Sequence, residues 1–301
     1  MEPALIALAL MDGVSYAALL FLVALGLTLI FGVMRILNIA HGSLYAWGGY
    51  FAATLGLAIT NFALPAWLAL PALFVAAIVI GGLLGTVLEF ALLRRILDKD
   101  PILQLLVTFA AFMMLEDLQR MIWGVQPVFV SDVVNQLGTL EVAGVTYTRY
   151  QLLVLPAVAV CAFLALRWFL GKTALGRQVT AVTHHREVAT AMGVNTHRVT
   201  WLTIALGGML GALGGALASP TTSFTPGIGA DMMVLSFAVV ATAGLGQIGG
   251  AAIAALMIGL ARSFSVYLMP ELEVLMPYLI MVAVLLVRPE GLFSTVAARR
   301  I

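Results

Sequence analysis

Runs of about 20 apolar residues recur along almost the whole of this sequence, and a chain of that kind has few folds open to it. A stretch such as A-A-L-L-F-L-V-A-L-G-L-T-L-I (17–30) is apolar on every side. It is neither the half-wetted face of a soluble helix nor the alternating strand of a membrane barrel. Inside a bilayer each backbone polar group must be satisfied within its own segment, which leaves helices. Composition agrees, since 62% of the 301 residues are hydrophobic and 10% charged. The prediction is an all-α, polytopic helical membrane protein with about eight or nine spans, some of them discontinuous at Gly or Pro. Residues 1–301 form a single transmembrane domain in this reading, with no soluble second domain. The lone Cys161 lies in an apolar run and offers no disulfide framework.

The distribution of charge predicts the sidedness. The start, Met1-Glu2-Pro3, has no basic n-region, so no cleaved signal is expected, and with Asp12 but no Lys or Arg it belongs outside. Spans are expected at 13–34, 39–60, 66–93, 101–123, 150–170 and 199–219, then from 231 with a break at 244–250, on to 269, and last up to 287. Only Arg35 marks the first inner turn, so the second span is either a full crossing or a broken helix dipping into the membrane. Arg94, Arg95 and Lys99 mark a cytoplasmic turn. The loop 124–149, with Asp132 and Glu141, is external, and the C-terminal tail with Arg299 and Arg300 is cytoplasmic.

One long polar interval, 171–198, sits among the spans on the cytoplasmic side. With Arg167 it carries Lys172, Arg177, Arg186 and Arg198 against the single acid Glu187, and three histidines, His184, His185 and His197. A helix over 180–192 would align Ala181, His185, Val188, Ala189 and Met192, with Gly193 after its end and Asn195 or Thr196 capping the next span. The histidines lack partner ligands at metal spacing, so no metal site is expected.

Two literal matches to nucleotide motifs fail on context. Gly171-Lys172-Thr173 ends like a phosphate loop, but the required first glycine falls on Leu166. Gly244-Leu245-Gly246-Gln247-Ile248-Gly249 has dinucleotide spacing, yet its flanks are membrane spans. Gly244, Gly246 and Gly249 are read instead as a helix break or close-packing site.

Polar residues at membrane depth are candidates for function. Asn38 and His41 flank the first break, while Gln104 and Thr108 share a face at i, i+4; each pair either lines a translocation pathway or packs. Glu116 and Arg120 form an expected interfacial pair, and Glu89 is expected to pair with Arg94. Asp231 is expected to cap the helix after the Pro-Gly stretch. Gly207, Gly211 and Gly215 make a small-residue stripe for close contact, either within the chain or with a partner.

The interval's core, E-V-A-T-A-M-G (187–193), resembles the E-A-A-x-x-x-G loop of bacterial ABC import permeases, with Val188 in place of the second residue. Four further stretches are similar, in order, to the permeases for branched-chain amino acids and related small solutes such as urea and amides. They are G-L-T-L-I-F-G-V-M-R-I-L-N-I-A-H-G-S-L-Y-A-W-G-G-Y (26–50), T-A-L-G-R-Q-V-T-A-V (173–182), G-L-G-Q-I-G-G-A (244–251) and R-P-E-G-L-F-S (288–294). The resemblance is to the shorter permease chain of that family. It implies a multi-pass subunit of the bacterial inner membrane that is not itself an enzyme. It also implies a second homologous permease, two cytoplasmic ATPases that bind ATP and Mg, and an external solute-binding protein. Beyond the lipid bilayer, no nucleic-acid partner and no cofactor in this chain is expected. Arg186, Glu187, Ala189 and Gly193 would carry coupling to the ATPases. The rival class is an ATP-independent secondary transporter or channel, which needs a coupling carboxylate deep in the bundle. An intramembrane enzyme would need a convergent acid, base and nucleophile.

Overall fold

The computed structural model describes residues 3–142 and 144–293. At its centre is helix α1 (Pro3–Met34), which begins well before the predicted span, and whose Leu20, Leu22 and Val23 are fully buried. An all-round apolar sequence has found an all-round apolar environment. Helix α2 (His41–Asn61), α3 (Ala69–Ile96) and α4 (Pro101–Trp123) follow. Then come the short α5 (Asp132–Leu137) and a β-hairpin of β1 (Thr139–Val142) and β2 (Val145–Thr148), a local departure from the all-α expectation. Next are α6 (Tyr150–Lys172), α7 (Ala174–His184), α8 (Arg186–Ala191) and α9 (Thr196–Ala218). The chain ends with α10 (Ile228–Ala243), α11 (Ile248–Leu268) and α12 (Met276–Val287). Six helices among the described residues are long and apolar enough to cross a membrane, and α10 and α12 are shorter apolar helices. The predicted tail beyond Phe293 lies outside the described residues.

Glycines set the closest approaches. The stripe on α9 faces this chain's own helices: a Cβ at Gly207 would meet Ile30 at 2.6 Å, one at Gly211 the His41 ring at 2.9 Å, and one at Gly215 the Tyr45 carbonyl at 1.8 Å. On the neighbouring face a Cβ at Gly208 would meet the Gly81 carbonyl of α3 at 2.6 Å. Missing side chains let four helices share one core by backbone contact, which is how association proceeds where lipid removes the hydrophobic drive.

Two elements stop part-way through the bundle. After α1, Arg35 takes a left-handed turn (φ 55°) and residues 35–40 run back non-helically, so that α2 starts with His41 against Gly26 of α1 and the middle of α9. By helical rise, Gly26 lies about 12 Å in from Met34. From there α2 climbs beside α4, with Ser43 Oγ donating to the Phe112 carbonyl at 3.4 Å and Trp47 Nε1 to that of Leu115 at 3.0 Å. From the opposite end, the segment 219–227 descends after α9, pinned by Phe224. That ring lies on Tyr45 and Tyr50, with centroids 5.6 Å from each, and its backbone exchanges two 2.9 Å hydrogen bonds with Val128. Gly227 (φ 95°) then leads into α10, whose Gly229 touches Gly42 of α2. Residues 35–40 thus interrupt the chain between α1 and α2.

Candidate functional site

The polar interval folds as two helices, not the single helix over 180–192. Thr173 caps α7, its Oγ1 accepting from Gly176 N–H at 2.9 Å, and α7 ends at His185 (φ −146°, ψ 85°), from which α8 starts afresh. The new axis turns the predicted stripe outward. Ala181 and His185 are exposed, as are Val188 (60%) and Met192 (80%), and only Ala189 is buried, against Val179, Val182 and Val199. Helix α8 ends in a Schellman turn. Gly193 N–H donates to the Thr190 carbonyl and Val194 N–H to that of Ala189, both at 3.0 Å, with Gly193 at φ 84°. Asn195 caps α9 through the Arg198 N–H at 3.1 Å, as predicted.

This surface is tied to the bundle by an ion pair and parted from it by a groove. Arg186 pairs with Asp98 in the α3–α4 turn at 3.1 Å, and a groove of about 380 Å³ separates 182–188 from Val33, Met34 and Arg35 at the end of α1. Glu187 is exposed beside Val188. Arg186 and Glu187 therefore flank a projecting apolar knob, Ala189 anchors it, and Gly193 ends it.

The deep polar residues separate into two kinds. Gln104 and Thr108 are committed to backbone: the carbonyls of Ile96, Leu97 and Lys99 lie 3.0 Å from the Gln104 amide nitrogen and share its two N–H groups, closing the end of α3, and the Thr108 hydroxyl proton is shared between the Gln104 and Leu105 carbonyls. Asn38 and His41 are fully buried where α2 begins. His41 Nε2 donates to the Val23 carbonyl at 3.0 Å, leaving Nδ1 as an unpartnered acceptor, and neither end of the Asn38 amide has a partner.

Two expected contacts are corrected. Glu89 does not pair with Arg94: its carboxylate is 1% exposed without a hydrogen-bond partner, while Arg94 Nε donates to His197 Nδ1 at 3.3 Å. A π-helical turn, Glu89–Leu93, lies between them, and the chain buries Glu89 while Arg94 turns to His197. Asp231 is not the cap of α10, which starts at Ile228; it lies in the first turn, where its charge suits the helix dipole. The pair Glu116–Arg120 does form, at 2.5 Å.

The glycine break separates α10 from α11 with Gly244 at φ 101° and Gly246 at φ 83°. The tail sequence R-P-E-G-L-F closes it. Leu292 and Phe293 N–H groups donate to the Thr242 and Ala243 carbonyls at 2.9 and 3.0 Å, Gly291 backs onto Gly244, and Phe293 covers Gly250. Among the described residues no packing atom lies within 4 Å of where a Cβ would stand at Gly249, so they do not demand glycine there. Sequence reasoning passed over Asp12 as a site and Arg262 altogether; the available signal was a charge of each sign inside an apolar run.

Against this geometry stand the similarities to known proteins. The sequence matches the family described as branched-chain amino acid transport system / permease component over residues 9–285. It is 27% identical over 289 residues to the high-affinity branched-chain amino acid transport system permease protein LivH of Salmonella typhimurium, covering 94% of each chain. The LivH protein of Escherichia coli is 28% identical over the same shares, and BraD of Pseudomonas aeruginosa 24% identical over 95% of this chain and 94% of its own. Among solved structures, PsaBC from Streptococcus pneumoniae in complex with Fab superposes with a TM-score of 0.45 at 16% identity, covering 96% of this chain and 92% of that one. With the family matched across nearly its whole length, this chain belongs to the permease components of branched-chain amino acid transport systems.

Proposed function

We propose that this chain is the membrane-spanning, non-catalytic permease subunit of an ABC importer of the bacterial inner membrane, carrying branched-chain amino acids or a closely related small polar solute. The match to the permease family over residues 9–285 carries this reading, and the printed names of the LivH and BraD relatives support the solute class. The hairpin end faces outward and receives the solute-binding protein. The basic end, with Arg94, Arg95, Lys99 and the two short helices, faces the cytoplasm. A second permease completes the pathway, and two ATPases that bind ATP and Mg drive it.

The knob of Val188 and Met192, with Arg186 and Glu187 at its side, fits an ATPase groove, because 60% and 80% exposure of two apolar side chains at a helix end is what a partner would cover. Movement of α8 is passed inward along the Arg186–Asp98 pair to the α3–α4 turn and through the Asn195 cap to α9. The broken starts of α2 and α10, meeting at Gly42 and Gly229, place helix N-termini deep in the bundle, where a solute carboxylate is favoured. Asn38 and His41 line the pathway there.

Gentle solubilisation and identification of what co-purifies tests the assignment. Two phosphate-loop ATPases and a second permease are expected. Recovery of the chain alone, with ATP-independent flux after reconstitution, would replace the importer by a channel or secondary transporter.

A further inference from the structure

At the hairpin end a cavity of about 240 Å³ opens between α1, α11, the start of α6 and the segment after α9. That is below the roughly 300–1,000 Å³ of pockets for drug-sized ligands and suits a smaller solute. Its walls carry both signs of charge. Asp12 accepts hydrogen bonds from the Tyr147 hydroxyl at 2.5 Å and from the Tyr267 hydroxyl, and among the described residues no cation comes within ion-pair distance of it. Burial, and donation to Asp12, push the Tyr147 phenol above its usual range, so it stays a donor at any physiological pH. Each Asp12 oxygen keeps a lone pair for a further donor.

Across the cavity Arg262 Nη2 donates to Glu273 at 2.6 Å, and the guanidinium lies 4.1 Å from the centroid of the Tyr16 ring. These contacts leave other N–H groups of the guanidinium to take a carboxylate. Tyr16, whose ring meets that guanidinium, lines the same cavity. Leu19, Leu155 and Val266 supply apolar wall.

We propose that this cavity is an outer receiving site for an α-amino acid, Asp12 taking the ammonium, Arg262 the carboxylate, and the apolar wall the aliphatic side chain. A carboxylate held by neutral hydroxyls calls for a cation, and a part-occupied guanidinium offers the anion's place, so the ligand carries both charges. The choice of solute class rests on the import reading.

The test is cysteine protection in membrane vesicles that hold the chain with its own partners. In a Cys161→Ala background, Val266→Cys places a thiol on the cavity wall, where Val266 is 39% exposed. Leucine at about twice its Kd is expected to slow modification of that thiol by a small methanethiosulfonate about threefold. Leucine amide, without the carboxylate, and 4-methylpentanoate, without the ammonium, should leave the rate unchanged. Adding Asp12→Asn should abolish the protection, whereas Glu271→Gln, nearby but outside the cavity, should keep it. The ligand series does not depend on how well the Asp12 variant folds. An unchanged rate with leucine, in vesicles that still accumulate leucine on ATP, overturns the site and spares the importer. Equal protection by leucine amide or 4-methylpentanoate overturns two-point recognition. Protection in vesicles whose uptake ignores ATP overturns the importer and spares the site.

Discussion

At Gly215 a single methyl group would stand 1.8 Å from the Tyr45 carbonyl, a backbone atom that cannot swing aside. Gly215→Ala is therefore expected to destabilise the bundle by about 1–3 kcal/mol. Gly171→Ala, with nothing among the described residues within 4 Å, should be neutral, and melting of the two variants in detergent compares them directly. Asn38 gives the opposite expectation. A buried amide with neither end paired costs about 1–3 kcal/mol, so Asn38→Leu should melt at or above the parent temperature. If the amide serves the pathway, leucine uptake falls all the same; unchanged uptake would make Asn38 a packing residue. The stripe containing Gly215 is legible from its four-residue spacing, but its partner is not, because spacing names a face and not what covers it. Glu89 was misread because a separation of little more than a turn does not make two side chains meet: the chain buries Glu89 and turns Arg94 to His197.

Helix α8 is short enough that its ends decide its existence. Gly193 sits at φ 84° and donates to Thr190; proline can adopt neither the angle nor the bond. Gly193→Pro should cost more than about 1 kcal/mol locally and bring uptake to background while the chain still inserts. Gly193→Asn, which tolerates the left-handed region, should keep most of it. Glu187→Lys should uncouple by charge with the helix intact, read as ATP hydrolysis that no longer yields uptake. The position of this surface was legible, since a polar interval between apolar spans has nowhere else to lie. Its division at His185 was not. A hydrophobic stripe can be drawn through residues 180–192 at helical spacing, but Thr183, His184 and His185 are weak helix formers, and the chain buries Val179 and Val182 in preference to Ala181. The break at 244–250 was legible from glycine alone. That the tail closes it depends on pairing Leu292 with Thr242 and Phe293 with Ala243, far apart in the sequence, which local periodicity does not report.

Across the whole molecule, apolar runs and basic turns conveyed the helical class, most span positions and one coherent basic end. They did not convey depth. The starts of α2 and α10 part-way through the bundle follow from Gly42 meeting Gly229, a contact between distant segments. The hairpin end likewise draws Asp12, Tyr147 and Arg262 together from three separate elements. The central claim is that this architecture is driven from the cytoplasm by ATP. Its most direct measurement is accumulation of radiolabelled leucine by proteoliposomes holding the chain with its co-purified partners. Accumulation should require ATP on the side of the basic end and binding protein on the side of the hairpin end, and should survive collapse of the proton gradient. Uptake that proceeds without ATP and vanishes with that gradient would contradict the account.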